Sequence, residues 1–206
     1  MTKALLAVVL AAAVLLVPGR AEAGPFLVRV RGVYIVPADK SEAIPALSVA
    51  EDDITVSKKL IPEVDFTYFI TPHLAAELIL TYPQKHDVEV AGTKIGTFSH
   101  LPPVLAVQWH FLPDALVSPY VGLGVNLTLI TSTDLEVPGV GKLDLTSPSV
   151  GVAGQVGADV RITPQVFLNV DVKYVTLRTD VEAGGNKVST VKVDPWLVGV
   201  GVGYRF

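Results

Sequence analysis

The stretch 196–206 constrains the fold more than any other part of the chain. Trp196, Val198, Val200, Val202, Tyr204 and Phe206 fall on one side of a period-two pattern, and Gly199, Gly201, Gly203 and Arg205 fall on the other. Alternation of this kind reads as a strand with one apolar face. It runs to the last residue, where a chain in water normally frays and an aromatic would be wasted. Composition decides which solvent that face meets. Half of the 206 residues are hydrophobic and only 17% are charged, against about a quarter in an average soluble domain. Such apolarity points to a membrane. Beyond the N-terminus, however, Gly, Pro or a charge interrupts every apolar stretch before it reaches the ~20 residues of a spanning helix. A closed barrel is the other way to satisfy every backbone group in lipid. The expected fold class is therefore all-β: an eight-stranded antiparallel transmembrane β-barrel of the bacterial outer membrane.

The segment 1–23 reads as an export signal. Lys3 supplies the positive start, 4–17 is apolar but too short to span, Pro18-Gly19 breaks it, and Ala21-Glu22-Ala23 gives a small-x-small cleavage pattern. The expected mature chain is one domain, 24–206. The absence of cysteine excludes disulfides, thiolate metal sites and a lipid-bearing cysteine together. A net charge of −4 with no basic run excludes nucleic acid as a partner.

Period-two alternation, punctuated by Pro, Gly and Asp, divides the mature chain into segments near 26–36, 58–69, 74–86, 101–111, 119–132, 149–163, 165–180 and 188–206. Tight connections near 70–73 and 163–165, and a modest one at 112–118, alternate with long ones at 37–57, 87–100 and 133–148 and a shorter one at 181–187. Short periplasmic turns alternating with longer external loops are the topology of outer-membrane barrels. Val166, Leu168, Val170, Val172 and Tyr174 are expected to face lipid, with Asn169, Asp171 and Lys173 inside. Aromatics gather at segment ends in two girdles: Phe26, Phe66, Tyr68, Trp109, Phe111, Tyr204 and Phe206 below, and Tyr34, Tyr82, Tyr174 and Trp196 above. A β-sandwich, the alternative, explains neither the loop-length alternation nor the C-terminal Phe.

The inward positions sort by height. The lower half collects Arg29, Arg31, Glu63, Asp65, Glu77, Asp159, Arg161, Asp171, Lys173 and Arg205. Acidic and basic groups balance there, and buried charges need partners, so an ion-paired plug at the periplasmic end is expected. Eight strands leave no room for a wide aqueous pore. The upper half collects Val33, Ile35, Ile61, Ile79, Val104, Val175, Leu177, Val193 and Leu197. An apolar cup above a charged plug points to small hydrophobic solutes arriving from outside. The alternative is that the cup is filling in a structural barrel. Pro62 and Pro195 fall inside expected strands and each removes a ladder donor, which points to a sideways exit.

No catalytic or metal pattern accompanies this design. His73, His86, His100 and His110 lack metal-site spacing, and no cofactor is expected. Glu51-Asp52-Asp53 lacks the calcium-loop pattern. An outer-membrane lipid hydrolase would need Ser, His and an acid together at lipid height, and no outward Ser–His pair is present, so the chain is not expected to be an enzyme.

Several segments together resemble the outer-membrane protein W family: His100-Leu101-Pro102-Pro103 leading to Gln108-Trp109-His110-Phe111, 119–126, 153–159 and 193–206. The order and spacing fit from about Gly24 to the end. The resemblance implies an eight-stranded barrel with a hydrophobic interior closed toward the periplasm, passive uptake of small hydrophobic compounds, and lateral release into the membrane. It also implies partners: outer-membrane lipid, the solutes, and the barrel assembly machinery reading Val202, Tyr204 and Phe206. The family often carries an aromatic where this chain has Val150, so a wider channel is expected here.

Overall fold

The computed structural model describes residues 24–38, 40–43, 49–137 and 141–206. The expected export signal, 1–23, lies outside the described residues. In chain order the strands are β1 (Phe26–Val36), β2 (Lys40–Ser41), β3 (Ile54–Val56), β4 (Lys59–Phe69) and β5 (Leu74–Thr81). Next come β6 (Gln84–Val90), β7 (Thr93–Leu101), β8 (Val104–His110), β9 (Val117–Val137) and β10 (Gly141–Leu145). The last are β11 (Ser149–Arg161), β12 (Val166–Val175), β13 (Arg178–Ala183), β14 (Asn186–Lys192) and β15 (Trp196–Arg205).

Eight of these close a ring. β1, β4, β5, β8, β9, β11, β12 and β15 follow one another around it, and β15 returns to β1; every pairing is antiparallel. Each of the eight strands is paired on both sides, apart from Lys59–Pro62 at the top of β4, so the ring presents almost no free edge, as a spanning sheet requires. The short turns at 70–73 and 162–165 lie at the same end as both ends of the described chain: the Phe206 N–H donates to Phe26 O at 2.8 Å, and the Phe69 N–H to Pro25 O at 2.8 Å.

The alternation places side chains as the sequence implies. Leu60, Leu105, Leu123, Val152, Val170 and Val200 are exposed around the outside, while Arg29, Glu77, Gln108, Asn126 and Asn169 on the opposite faces are fully buried. A contiguous apolar exterior around a polar interior is the pattern of a membrane barrel and the inverse of a soluble one. Of the expected girdles, Phe26, Phe66, Tyr68, Trp109, Phe111, Phe206, Tyr34, Tyr82 and Trp196 are exposed. Tyr174 is half-buried against Trp196, with ring centroids 5.0 Å apart. Tyr204 is buried, its ring edge-on to Phe206 at 4.8 Å.

The long connections expected at 37–57, 87–100 and 133–148 are not plain loops. Their described parts, with the strands flanking the shorter connection at 181–187, form a second tier above the ring, in the order β3, β6, β7, β9, β10, β13, β14, β2. β9 belongs to both tiers: Asn126 lies opposite Val104 of β8, whereas Leu135 lies opposite Gly96 of β7. The free edges of the upper sheet approach each other at Ser41. The Asp52 N–H donates to Ser41 O at 3.1 Å, and the Ser41 N–H donates to Asp52 Oδ1 at 3.0 Å. The sheet thereby curls almost into a second ring. Three expected segments, 74–86, 165–180 and 188–206, are each split where the chain passes between tiers. Pro62 stands within β4 as expected, but Pro195 lies in the break between β14 and β15.

Glycine permits the close inner packing. Gly201 lies opposite Arg31 of β1, and a Cβ there would run into Val30 O and the Arg31 side chain.

The exterior reading has a direct test. Leu123 is 77% exposed midway along the lower part of β9. Leu123→Arg should destabilise the barrel refolded in bilayers by about 2–4 kcal/mol, measured as the shift in urea-unfolding midpoint. A change within about 0.5 kcal/mol, as expected of a water-facing surface site, would sink the assignment of this face to lipid.

Candidate functional site

The interior has three levels. The lowest is a charged plug. Arg29 and Arg31 stand two apart on β1, so both enter the barrel. Arg29 reaches Asp159 of β11 at 2.6 Å and Asp65 of β4 at 3.0 Å. Arg31 reaches Asp65 at 2.8 Å, Glu63 at 2.9 Å and Asp171 of β12 at 2.9 Å. Glu77 of β5 lies 3.4 Å from Arg31 and accepts a 2.6 Å hydrogen bond from Gln155 Nε2. Lys173 pairs with Asp171 at 2.7 Å and Glu63 at 2.8 Å. All these charged groups are buried. The network crosses the lumen and ties together strands far apart in sequence.

Two residues expected in the plug lie below it. Arg161, near the end of β11, donates from Nη2 to Ala115 O at 2.9 Å. Arg205 donates from Nε to Gly24 O at 2.8 Å, and its guanidinium sits 4.2 Å over the Phe69 ring. Both occupy strand ends, where they donate to backbone carbonyls of neighbouring segments. The plug proper therefore sets Arg29, Arg31 and Lys173 against Glu63, Asp65, Glu77, Asp159 and Asp171. The expected balance is replaced by an acidic excess. Neutral donors supplement the cations: Asn169 Nδ2 donates to Asp159 at 2.9 Å.

The middle level is apolar with a polar collar. Val33, Ile35 and Ile61 form one buried cluster, and Ile79, Val104 and Val175 form another; Leu197 packs against both. All of these but Val33 bound a cavity of about 40 Å³ whose wall also carries Thr81, Gln84, His86 and His100. The His86 and His100 rings stack at 5.1 Å, and Phe98 extends the stack. Burial holds the His86 imidazole below its ordinary pKa, against the hydrogen bond to Ser57 O. Burial pushes His100 down to about 3, with His86 and the Lys59 charge acting in the same direction. Both rings are neutral near pH 7.

The upper level is a second apolar cavity, about 220 Å³, inside the upper tier. Ile54, Val56, Val88, Phe98, Leu135 and Leu143 are among its walls. Leu177 and Val193, expected in the barrel cup, pack into this upper cluster, and Val193 borders both cavities. A larger depression of about 750 Å³ lies on the lipid side, over Val107, Leu123, Val156 and Tyr174, and has no part in the interior route. Val150 is 71% exposed on the outer face, so the residue at this position has no bearing on channel width, and the wider channel expected from it is withdrawn.

The nine apolar lining residues and eight of the plug residues lie inside, but Thr81, Gln84, His86, His100 and the upper-tier walls were not among the residues expected there. A signal was present: Val88-Glu89-Val90 and Leu143-Asp144-Leu145 alternate as strands do.

Removing the central cation tests the plug. Arg31→Met leaves surrounding carboxylates without their charge partner and should cost about 3–5 kcal/mol, read from the unfolding midpoint in bilayers. A change below about 1 kcal/mol would show that the network does not hold the barrel together.

Comparison with known proteins agrees with this architecture. The model of the OmpW family matches residues 22–206. The chain is 38% identical over 188 residues to an uncharacterized outer-membrane protein, y4mB, of Sinorhizobium fredii, covering 88% of this chain and 80% of that protein. It is 32% identical over 193 residues to outer membrane protein W of Escherichia coli, covering 90% of each. Among solved structures, the outer membrane protein OprG of Pseudomonas aeruginosa superposes with a TM-score of 0.77 at 29% identity, covering 90% of this chain and 97% of that one. A closed eight-stranded ring with a plugged floor and an apolar interior, matched by the family model along its whole described length, places this chain in the OmpW family.

Proposed function

We propose that this chain is an outer-membrane channel for passive uptake of small hydrophobic molecules, received in the apolar upper interior and blocked from the periplasm by the plug. The carrying observation is the vertical order of the interior: two apolar cavities that share Val193 above a cross-barrel ion network. An apolar solute gains free energy on leaving water for the upper levels, at about 25 cal/mol per Å² of buried apolar surface. It gains nothing from the charged floor.

A molecule stopped by the floor needs a side exit. β4 pairs with β5 only from Glu63, opposite Thr81, downward. Above that point Lys59–Pro62 keep β1 as their strand partner among the described residues. The Lys59 ammonium bridges the interval by donating to Lys85 O at 2.8 Å. Pro62 cannot supply an N–H to close it. Lateral release between β4 and the β5–β6 connection follows from this opening beside the small cavity. Removal of 1–23 after Ala23, and recognition by the assembly machinery through the exposed Val202 and Phe206 with Tyr204 beneath them, complete the proposal.

The test is uptake of a small apolar solute into liposomes with and without the refolded protein. Ile79→Arg places a charge in the small cavity and should reduce protein-dependent uptake at least about tenfold, since an unpaired cation in an apolar site is costly. Equal uptake by protein-containing and empty liposomes would leave a structural barrel without transport. Pro62→Ala, which restores a backbone donor at the opening, should slow uptake about two- to threefold, the worth of up to one net hydrogen bond, with the fold unchanged. Uptake at the wild-type rate would place the exit elsewhere.

A further inference from the structure

The apolar interior contains one concentrated exception to its chemistry. Gln84, His86 and His100 are 0%, 1% and 6% exposed. Each has a side-chain polar atom without a hydrogen-bond partner: Gln84 Oε1, His86 Nε2 and His100 Nδ1, joined by Thr81 Oγ1. All four residues line the same cavity of about 40 Å³. A buried polar atom left unpaired costs about 1–3 kcal/mol, so a cluster of them in one cavity marks a place built to meet a polar group.

Two of the four are fixed as acceptors by their other contacts. Gln84 Nε2 donates to Tyr82 O at 2.6 Å, which leaves Oε1 as the free end of the amide. His86 Nδ1 lies 3.0 Å from Ser57 O. A carbonyl only accepts, so Nδ1 carries the proton and Nε2 presents a lone pair. The Thr81 hydroxyl and His100 Nδ1 can each take either role. The cavity therefore calls for a donor.

The donor is neutral. An ammonium would be desolvated among Ile61, Ile79, Val104 and Leu197, and the nearby carboxylate of Glu63 is already paired with Lys173. A hydroxyl donates its one hydrogen to Gln84 Oε1 or to His86 Nε2 and accepts from Thr81. The remainder of such a molecule would extend into the apolar cavity of about 220 Å³ above, across the shared residue Val193.

We propose that the Gln84–His86–His100 collar is a binding site for the hydroxyl head of a small aliphatic alcohol, so that the channel distinguishes alcohols from alkanes and ketones of equal length. This rests on the apolar-channel reading and names the solute class that the channel retains best.

The experiment measures binding, separately from transport. The refolded chain in lipid nanodiscs is titrated with 1-hexanol, 2-hexanone and n-hexane, and each affinity is normalised to that solute's partition into protein-free nanodiscs. The imidazole ¹⁵N resonances of His86 are followed in the same titrations. Hexanol should bind about fivefold more tightly than hexane or hexanone, the worth of roughly one net hydrogen bond. It alone should move the His86 Nε2 resonance. Gln84→Leu, and separately His86→Phe, which keeps a ring in the stack, should each weaken the preference, and the two together should remove it. Equal normalised affinities for the three solutes, or a preference that survives both substitutions, would overturn the collar while leaving an apolar channel standing. No binding of any solute beyond its lipid partition would overturn the channel as well.

Discussion

The structure turns on the pairing of Arg29 and Arg31 with carboxylates supplied by the neighbouring strand β4 and, across the lumen, by β11 and β12. In a closed ring in lipid, the outside is satisfied by apolar side chains and the backbone by strand pairing. The lumen is then the only place where polar side chains can be reconciled with the membrane. Asp65, Glu63, Asp159 and Asp171 come from three different strands and converge on two guanidinium groups. The planar forked geometry of arginine suits this task, since each head can meet several carboxylates at once. A lysine, as Lys173 shows, meets fewer and sits at the network's upper margin beside the small cavity.

That network dictates the direction of any route. It fills the lower lumen with charge, so an apolar guest has no favourable path downward, and the hydrophobic levels begin directly above Glu63 and Lys173. The upper tier then lengthens the apolar compartment beyond the membrane ring. β9 is the structural means: its 21 residues exceed the ~9–11 that a tilted spanning strand needs, and the surplus forms one stave of the upper sheet. Cavity and plug are thus consecutive parts of the same strands, and what changes between them is the chemistry of the inward residue.

Much of this was legible because period two is a strong signal when one face must meet lipid. Val170 and Asp171, or Val200 and Gly201, leave no choice of register, since a slip by one residue would turn Asp171 toward the acyl chains. The barrel strands, the sorting of inside from outside, and the charged and apolar levels follow from that alone. The upper tier was hidden because its strands are short and polar on their outer side, as in Asp87-Val88-Glu89 and Lys142-Leu143-Asp144, which in water resembles loop composition. Arg161 and Arg205 were misplaced for a different reason. Parity fixes the face of a residue but not its height, and at these strand ends the arginines donate to backbone carbonyls, Ala115 O and Gly24 O. The Val150 expectation failed because an inherited role was carried over without its parity being read: Val150 lies on the same outer face as Val152 and Val156.

The collar shows how far a position's chemistry can depart from its neighbours without being visible in sequence. Gln84, His86 and His100 occupy inward positions in strands whose other inward residues, Val88 and Phe98, are apolar. By composition they are ordinary polar residues near a turn. Their significance arises only when β6 and β7 pair, with Gln84 opposite His100 and His86 opposite Phe98, which brings the polar atoms to the floor of an apolar chamber. There a polar group has few alternatives to bonding with its neighbours or with a guest. The tier boundary is also where the lateral opening beside Lys59–Pro62 lies. The same break in strand pairing that lets the chain pass from one tier to the next therefore leaves Lys59–Pro62 without a strand partner on that side among the described residues, at the height of the collar and between an apolar chamber and a charged floor.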